Sequence, residues 1–140
     1  MLTLTWLLIG LISGACYLYW ARSLPAALEL RVLTAGLLVA ALIYVGFATI
    51  RGNPDWILIE LVGVAIYGVC AFLTYRISPF WLAAGWGFHP AWDVLLHLSG
   101  AGQTIAPYWY VIACISFDLL VAVYIVQRRD LWTATLAPNH

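Results

Sequence analysis

Five ionisable residues stand inside stretches of this chain that are otherwise apolar enough to cross a bilayer: Glu60, His89, Asp93, His97 and Asp118. A charge left alone in hydrocarbon costs at least a few kcal/mol, so such groups pair with one another, face a cavity or bind something. Carboxylates and imidazoles are the oxygen and nitrogen donors that hold a divalent ion or pass protons. His89, Asp93 and His97 recur every four residues, which on a helix sets them along one face with a drift of roughly 40° per step. Asp93 and His97, at i and i+4, can grip one zinc-like divalent ion, and Glu60 from the neighbouring stretch completes a set with an open position. The expected metal ligands are therefore Glu60, Asp93 and His97. His89 and Asp118 form a lower tier and are the expected catalytic residues, orienting and moving a proton beside the metal.

A plainer account competes with this one. Asp93 with His97, and His89 with Asp118, could serve only as neutralising pairs that hold helices together. Three acids and two histidines are more than helix packing needs, and each one left unmatched costs stability. Pro90 adds a second cue, because it lacks an amide hydrogen and its ring clashes with the carbonyl four residues earlier. A kink near Trp86 is expected, with Gly85 and Gly87 supplying room beside the lower tier.

The elements that must position these groups are membrane spans. The chain has 140 residues, of which 65% are hydrophobic and 9% charged, whereas soluble domains carry roughly 25% charged residues. Mean hydropathy is +0.97. Five apolar stretches, at about 3–21, 30–50, 56–75, 79–99 and 107–127, each approach the roughly 20 residues that cross a bilayer as a helix. The fold class expected is all-α, a single integral membrane domain of five transmembrane helices. Asn53-Pro54-Asp55 opens the third helix with a cap, a proline at the first helical position and an acid in the first turn. Pro25 either follows an interfacial turn or begins a longer second helix with Glu29 and Arg31 at the headgroups. Beyond Arg128-Arg129-Asp130 the tail to His140 is expected to be short and poorly ordered, with Trp132 resting at the interface.

Charge sets the orientation. Arg22, Arg31, Arg76, Arg128 and Arg129 fall on one side of five alternating spans and Arg51 alone on the other, which puts the N-terminus outside and the C-terminus in the cytoplasm. The first stretch lacks the basic region of a cleavable signal and is expected to stay as a span, in a bacterial plasma membrane. The formal net charge is zero and lysine is absent, so a nucleic-acid footprint is excluded. Cys16, Cys70 and Cys114 are scattered in apolar runs and read as small buried hydrophobes.

Depth supports a common site. At about 1.5 Å per residue from the outer helix ends, His97 lies about 3 Å in, Glu60 about 6 Å, Asp93 about 9 Å, and His89 and Asp118 about 15 Å. All five fall in the outer half or at the midplane, so one shared cavity is expected to open outward beneath the loop from Gly100 to Pro107. Tyr67 and Tyr110 share helix faces with these groups and are candidate pocket walls. Gly10 and Gly14 make a GxxxG pattern suited to close helix contact, within the chain or between protomers of a homo-oligomer. The first two spans, without charge in their cores, are expected to act as scaffold or lipid-facing wall.

The run His89-Pro90-Ala91-Trp92-Asp93 with His97, followed by Pro107-Tyr108-Trp109-Tyr110 and Phe117-Asp118, resembles a group of small bacterial multi-pass membrane proteins marked by an HPxWDxxxH-type segment. The resemblance covers about the last two spans and implies a site there without implying an activity. In chemistry alone, the donor set is similar to that of membrane-embedded zinc hydrolases of lipid amides, which spread histidines and an aspartate over several helices.

These readings converge on a metal-dependent membrane enzyme acting on a lipid or isoprenoid-like, hydrophobic small molecule. The metal activates water or polarises a substrate oxygen while Asp118 and His89 move the proton. A metal-free variant uses Glu60 or Asp93 as a protonated acid toward an alkene or epoxide. The alternatives are a small proton- or cation-coupled transporter working as a homo-oligomer, and a structural or cofactor-holding membrane subunit.

Overall fold

The computed structural model describes residues 1–136; His140, at the end of the expected tail, lies outside the described residues. Every regular element is helical: α1 (Leu2–Arg22), α2 (Ala26–Ile50), α3 (Pro54–Arg76), α4 (Phe80–Asp93) and α5 (Tyr108–Leu136), with a π-helical turn at Val94–Leu98 continuing α4. Four of these, α1, α2, α3 and α5, are long and apolar enough to cross a membrane, consistent with an integral membrane protein. The helix α4 is shorter, and its π extension carries the helical run to Leu98.

Local chemistry sets the boundaries. Asn53 caps α3, its side-chain oxygen accepting from the Trp56 amide at 3.2 Å, with Pro54 in the first turn. Gly52, the one residue at positive φ (65°) among those described, turns the chain between α2 and α3. Of the two expectations for Pro25, the longer helix is the one found, with Pro25 as the N-cap of α2. Glu29 is fully buried within the protein, accepting from the Tyr124 hydroxyl and pairing with Arg128 Nη2 at 2.9 Å. The helix α5 runs on past the expected end near residue 127, and Trp132 is fully buried in the protein with the Arg128 guanidinium over its ring.

Packing follows from small residues. A Cβ at Gly10 would lie 2.0 Å from the Ala113 carbonyl oxygen and one at Gly14 would lie 3.2 Å from Leu120, so the GxxxG face seats α1 on α5 of the same chain. Ser116 Oγ fastens the contact by donating to the Leu7 carbonyl at 2.7 Å. Further pairings join α4 to α5, α2 to α3 and α3 to α4, while α1 and α2, though consecutive, touch little. An apolar layer that includes Leu33, Leu37, Leu82, Trp86, Val121 and Ile125 fills the centre of the bundle.

Candidate functional site

Above that layer the buried acids and imidazoles gather between α3, α4 and α5. His89, on α4 one residue before Pro90, points its Nδ1 at Asp118 Oδ2 on α5, 2.9 Å away. The same Nδ1 is 3.5 Å from Asp93 Oδ2, one helical turn on. One nitrogen thus faces two carboxylates, and all three side chains are at most 1% exposed. Ligand atoms of His89, Asp93 and Asp118 lie within 4.8 Å of one another, a group able to hold a metal ion. Donors about 2.0–2.2 Å from a zinc-like ion stand about 3.4 Å apart on a tetrahedron, and the His89 separations of 2.9 and 3.5 Å lie on either side of that value.

Glu60 and His97 form a separate pair nearer the end of the bundle. His97 Nε2 is 3.1 Å from Glu60 Oε1, while its Nδ1 lies 3.1 Å from the Gly102 carbonyl oxygen. A carbonyl only accepts, so Nδ1 carries a hydrogen and Nε2 is the ring nitrogen turned toward Glu60. The Nε2–Oε1 approach is close in distance but off the angle of a hydrogen bond. The other oxygen, Glu60 Oε2, accepts from Trp92 Nε1 at 3.3 Å, and Gly63 leaves room for that indole, since a Cβ there would meet it at 3.2 Å.

The five residues singled out by sequence are therefore brought together, but in a different grouping. Asp93 joins the His89–Asp118 tier, and the expected ligand trio of Glu60, Asp93 and His97 is divided between the two tiers. The π turn supplies the reason. With i→i+5 bonding a turn takes about one residue more than in an α-helix, so the four-residue step from Asp93 to His97 falls short of a full turn and re-aims the imidazole. The helix α4 runs through Pro90 to Asp93, and the π turn follows it.

Sequence reasoning passed over Tyr44 of α2. Its ring stacks on His97 with centroids 4.8 Å apart and meets His89 edge-on at 5.6 Å. Tyr67 of α3 approaches the other side of His89 at 5.0 Å. Both hydroxyls are within electrostatic reach of Asp93, yet neither they nor either Asp93 oxygen reaches hydrogen-bond geometry among the described residues. A tyrosine in an apolar helix carries no signal that would have marked Tyr44.

The expected opening beneath the loop is filled. Ile105 and Ala106 are each 3% exposed, and Ala106 packs with Tyr44 and Val111 as a lid over the imidazoles. Access instead lies to the side: a cleft of about 380 Å³ runs between α1, α2 and α5 and reaches Asp118. The first two helices are thus walls of a cavity as well as scaffold.

Charge completes the description. The ion pairs of the site involve histidines alone, so even with both imidazoles charged, three carboxylates leave one negative charge uncompensated. Such a group needs one more proton or a bound cation. Compared with protein-family models, with curated proteins and with solved structures, the chain matches none.

Proposed function

We propose that this chain is a five-span membrane enzyme, N-terminus outside and C-terminus in the cytoplasm of a bacterial plasma membrane, that uses a divalent, zinc-like ion on a lipid or isoprenoid-like substrate. The observation that carries the reading is the buried His89–Asp93–Asp118 group, whose ligand atoms converge within 4.8 Å with neither Asp93 oxygen in hydrogen-bond geometry. A divalent ion there supplies the missing positive charge, and its chemistry is to activate water or polarise a substrate oxygen. Glu60 and His97 form the acid–base pair nearest the outer end, with Tyr44 between the tiers. In this assignment His89, Asp93 and Asp118 are the ligands, and Glu60 and His97 move protons.

Transport is disfavoured by what lies below. Along α5, fully buried Val121 and Ile125 lie between Asp118 and the next charged group, Arg128 with Glu29. No carboxylate, imidazole, lysine or arginine lies in that layer among the described residues to continue a charged path inward. The five-span topology rests on the helical run from Phe80 to Leu98 counted as the fourth span, and the orientation rests on the arginine asymmetry.

The test is conversion. Protein in nanodiscs loaded with a bacterial lipid extract should yield, by mass spectrometry, a product that disappears on chelation and in Asp118→Asn. Chelation-insensitive turnover would overturn the metal-dependent reading, and proton flux in liposomes abolished by Asp93→Asn would favour transport.

A further inference from the structure

The cleft that ends at Asp118 names a class of occupant. Its walls are Ile9 and Tyr17 from α1, Val39 and Ile43 from α2, and Trp109 and Phe117 from α5, with the buried Trp86 and Asp118 at its inner end. Ile9, Val39, Ile43 and Trp109 are exposed on helices that face lipid, so the mouth opens sideways into the bilayer. Three of the polar groups along the way are already spoken for: Ser13 Oγ donates to the Ile9 carbonyl at 2.8 Å, the Tyr17 hydroxyl to Val32 at 2.9 Å, and Trp86 Nε1 to Leu33 at 3.1 Å. Asp118 is the one carboxylate among the lining residues, and neither lysine nor arginine is among them.

We propose that this cleft binds a neutral, single-chain lipid or isoprenoid that enters from the bilayer with an uncharged oxygen function leading toward Asp118. This rests on the enzymatic reading above and specifies its substrate. Two arguments select the class. An ionic headgroup drawn through an apolar slot forfeits its hydration with no partner to replace it. A phosphate or carboxylate lodged in the slot would find no lysine or arginine on the lining to pair with. An uncharged chain pays neither penalty, and the cleft volume of about 380 Å³ lies at the small end of ligand pockets, which run from about 300 Å³ upward. A double-chained phospholipid is excluded on both counts.

Photolabelling tests this directly. A long-chain alcohol with a diazirine in its tail, incubated with the wild-type protein in nanodiscs, should place adducts on the peptides carrying residues 9–17, 36–43 and 109–118. The matching alkyl phosphate should label these at least tenfold less. Ala40→Phe and Ile43→Trp, which fill the slot, should each cut labelling several-fold while bound metal is unchanged. Equal labelling by the phosphate, or adducts elsewhere that neither variant reduces, would overturn the proposal, and the wild-type contrast decides the matter even if both variants fold poorly. Cleft labelling in protein that binds no metal would uphold the occupant and sink the metal reading; bound metal without cleft labelling would do the reverse.

Discussion

The ring of Tyr44 lies flat on the imidazole of His97, centroids 4.8 Å apart. Because the same ring also touches His89, a single side chain from α2 spans both tiers of the buried site. Tyr44→Phe keeps this stack and removes only the hydroxyl near Asp93. The thermal midpoint should stay near wild type while metal affinity, measured by competition with a chelator, falls about 10-fold or more, as when outer-shell partners of metal ligands are lost. Unchanged affinity would make Tyr44 a packing residue.

At Gly10 there is no room for a side chain, since an added Cβ would sit 2.0 Å from the Ala113 carbonyl oxygen. Gly10→Val should therefore part α1 from α5 and cost about 1–3 kcal/mol, read as a lowered thermal midpoint in detergent. Gly46, with nothing within 4 Å of an added Cβ, is the control. Gly46→Ala should be neutral or stabilising by up to about 1 kcal/mol, the difference in helix propensity.

Much of the site was legible before any coordinates. Glu60, His89, Asp93, His97 and Asp118 stand out because ionisable groups in apolar helices are expensive, and equal depth correctly matched His89 with Asp118. The division of the upper group was not legible. It depends on the π turn at Val94–Leu98, a wider turn that no residue pattern in Val94-Leu95-Leu96-His97-Leu98 announces. Helix number and most boundaries followed from apolar length and from caps such as Asn53. The burial of Glu29 within the protein was not legible, because a position near a helix start reads as open to the headgroups. Its burial depends on Tyr124 and Arg128, nearly a hundred residues away in sequence. The lateral cleft was likewise hidden, since it arises from the slight contact between α1 and α2 rather than from any motif.

The Glu29–Arg128 pair, 2.9 Å long and on the far side of the apolar layer, offers a stability test independent of the site. Glu29→Gln leaves Arg128 without its counter-charge, but that side chain is 23% exposed and can turn outward. The loss should thus fall below the roughly 3–5 kcal/mol of a fully buried pair. Calorimetric or fluorescence melting should register it, and the double variant Glu29→Gln/Arg128→Met should recover part of it. Bound metal should be the same in all three proteins. A change in metal content would mean that the two ends of the bundle are coupled.

The most direct measurement is metal stoichiometry across four purified proteins: wild type, Asp93→Asn, Asp118→Asn and His97→Ala. The account predicts close to one divalent ion per chain in the wild type, its loss in both aspartate variants, and its retention in His97→Ala, whose imidazole pairs with Glu60 instead. Absence of metal from the wild type after loading with zinc, or loss in His97→Ala with retention in Asp118→Asn, would contradict it.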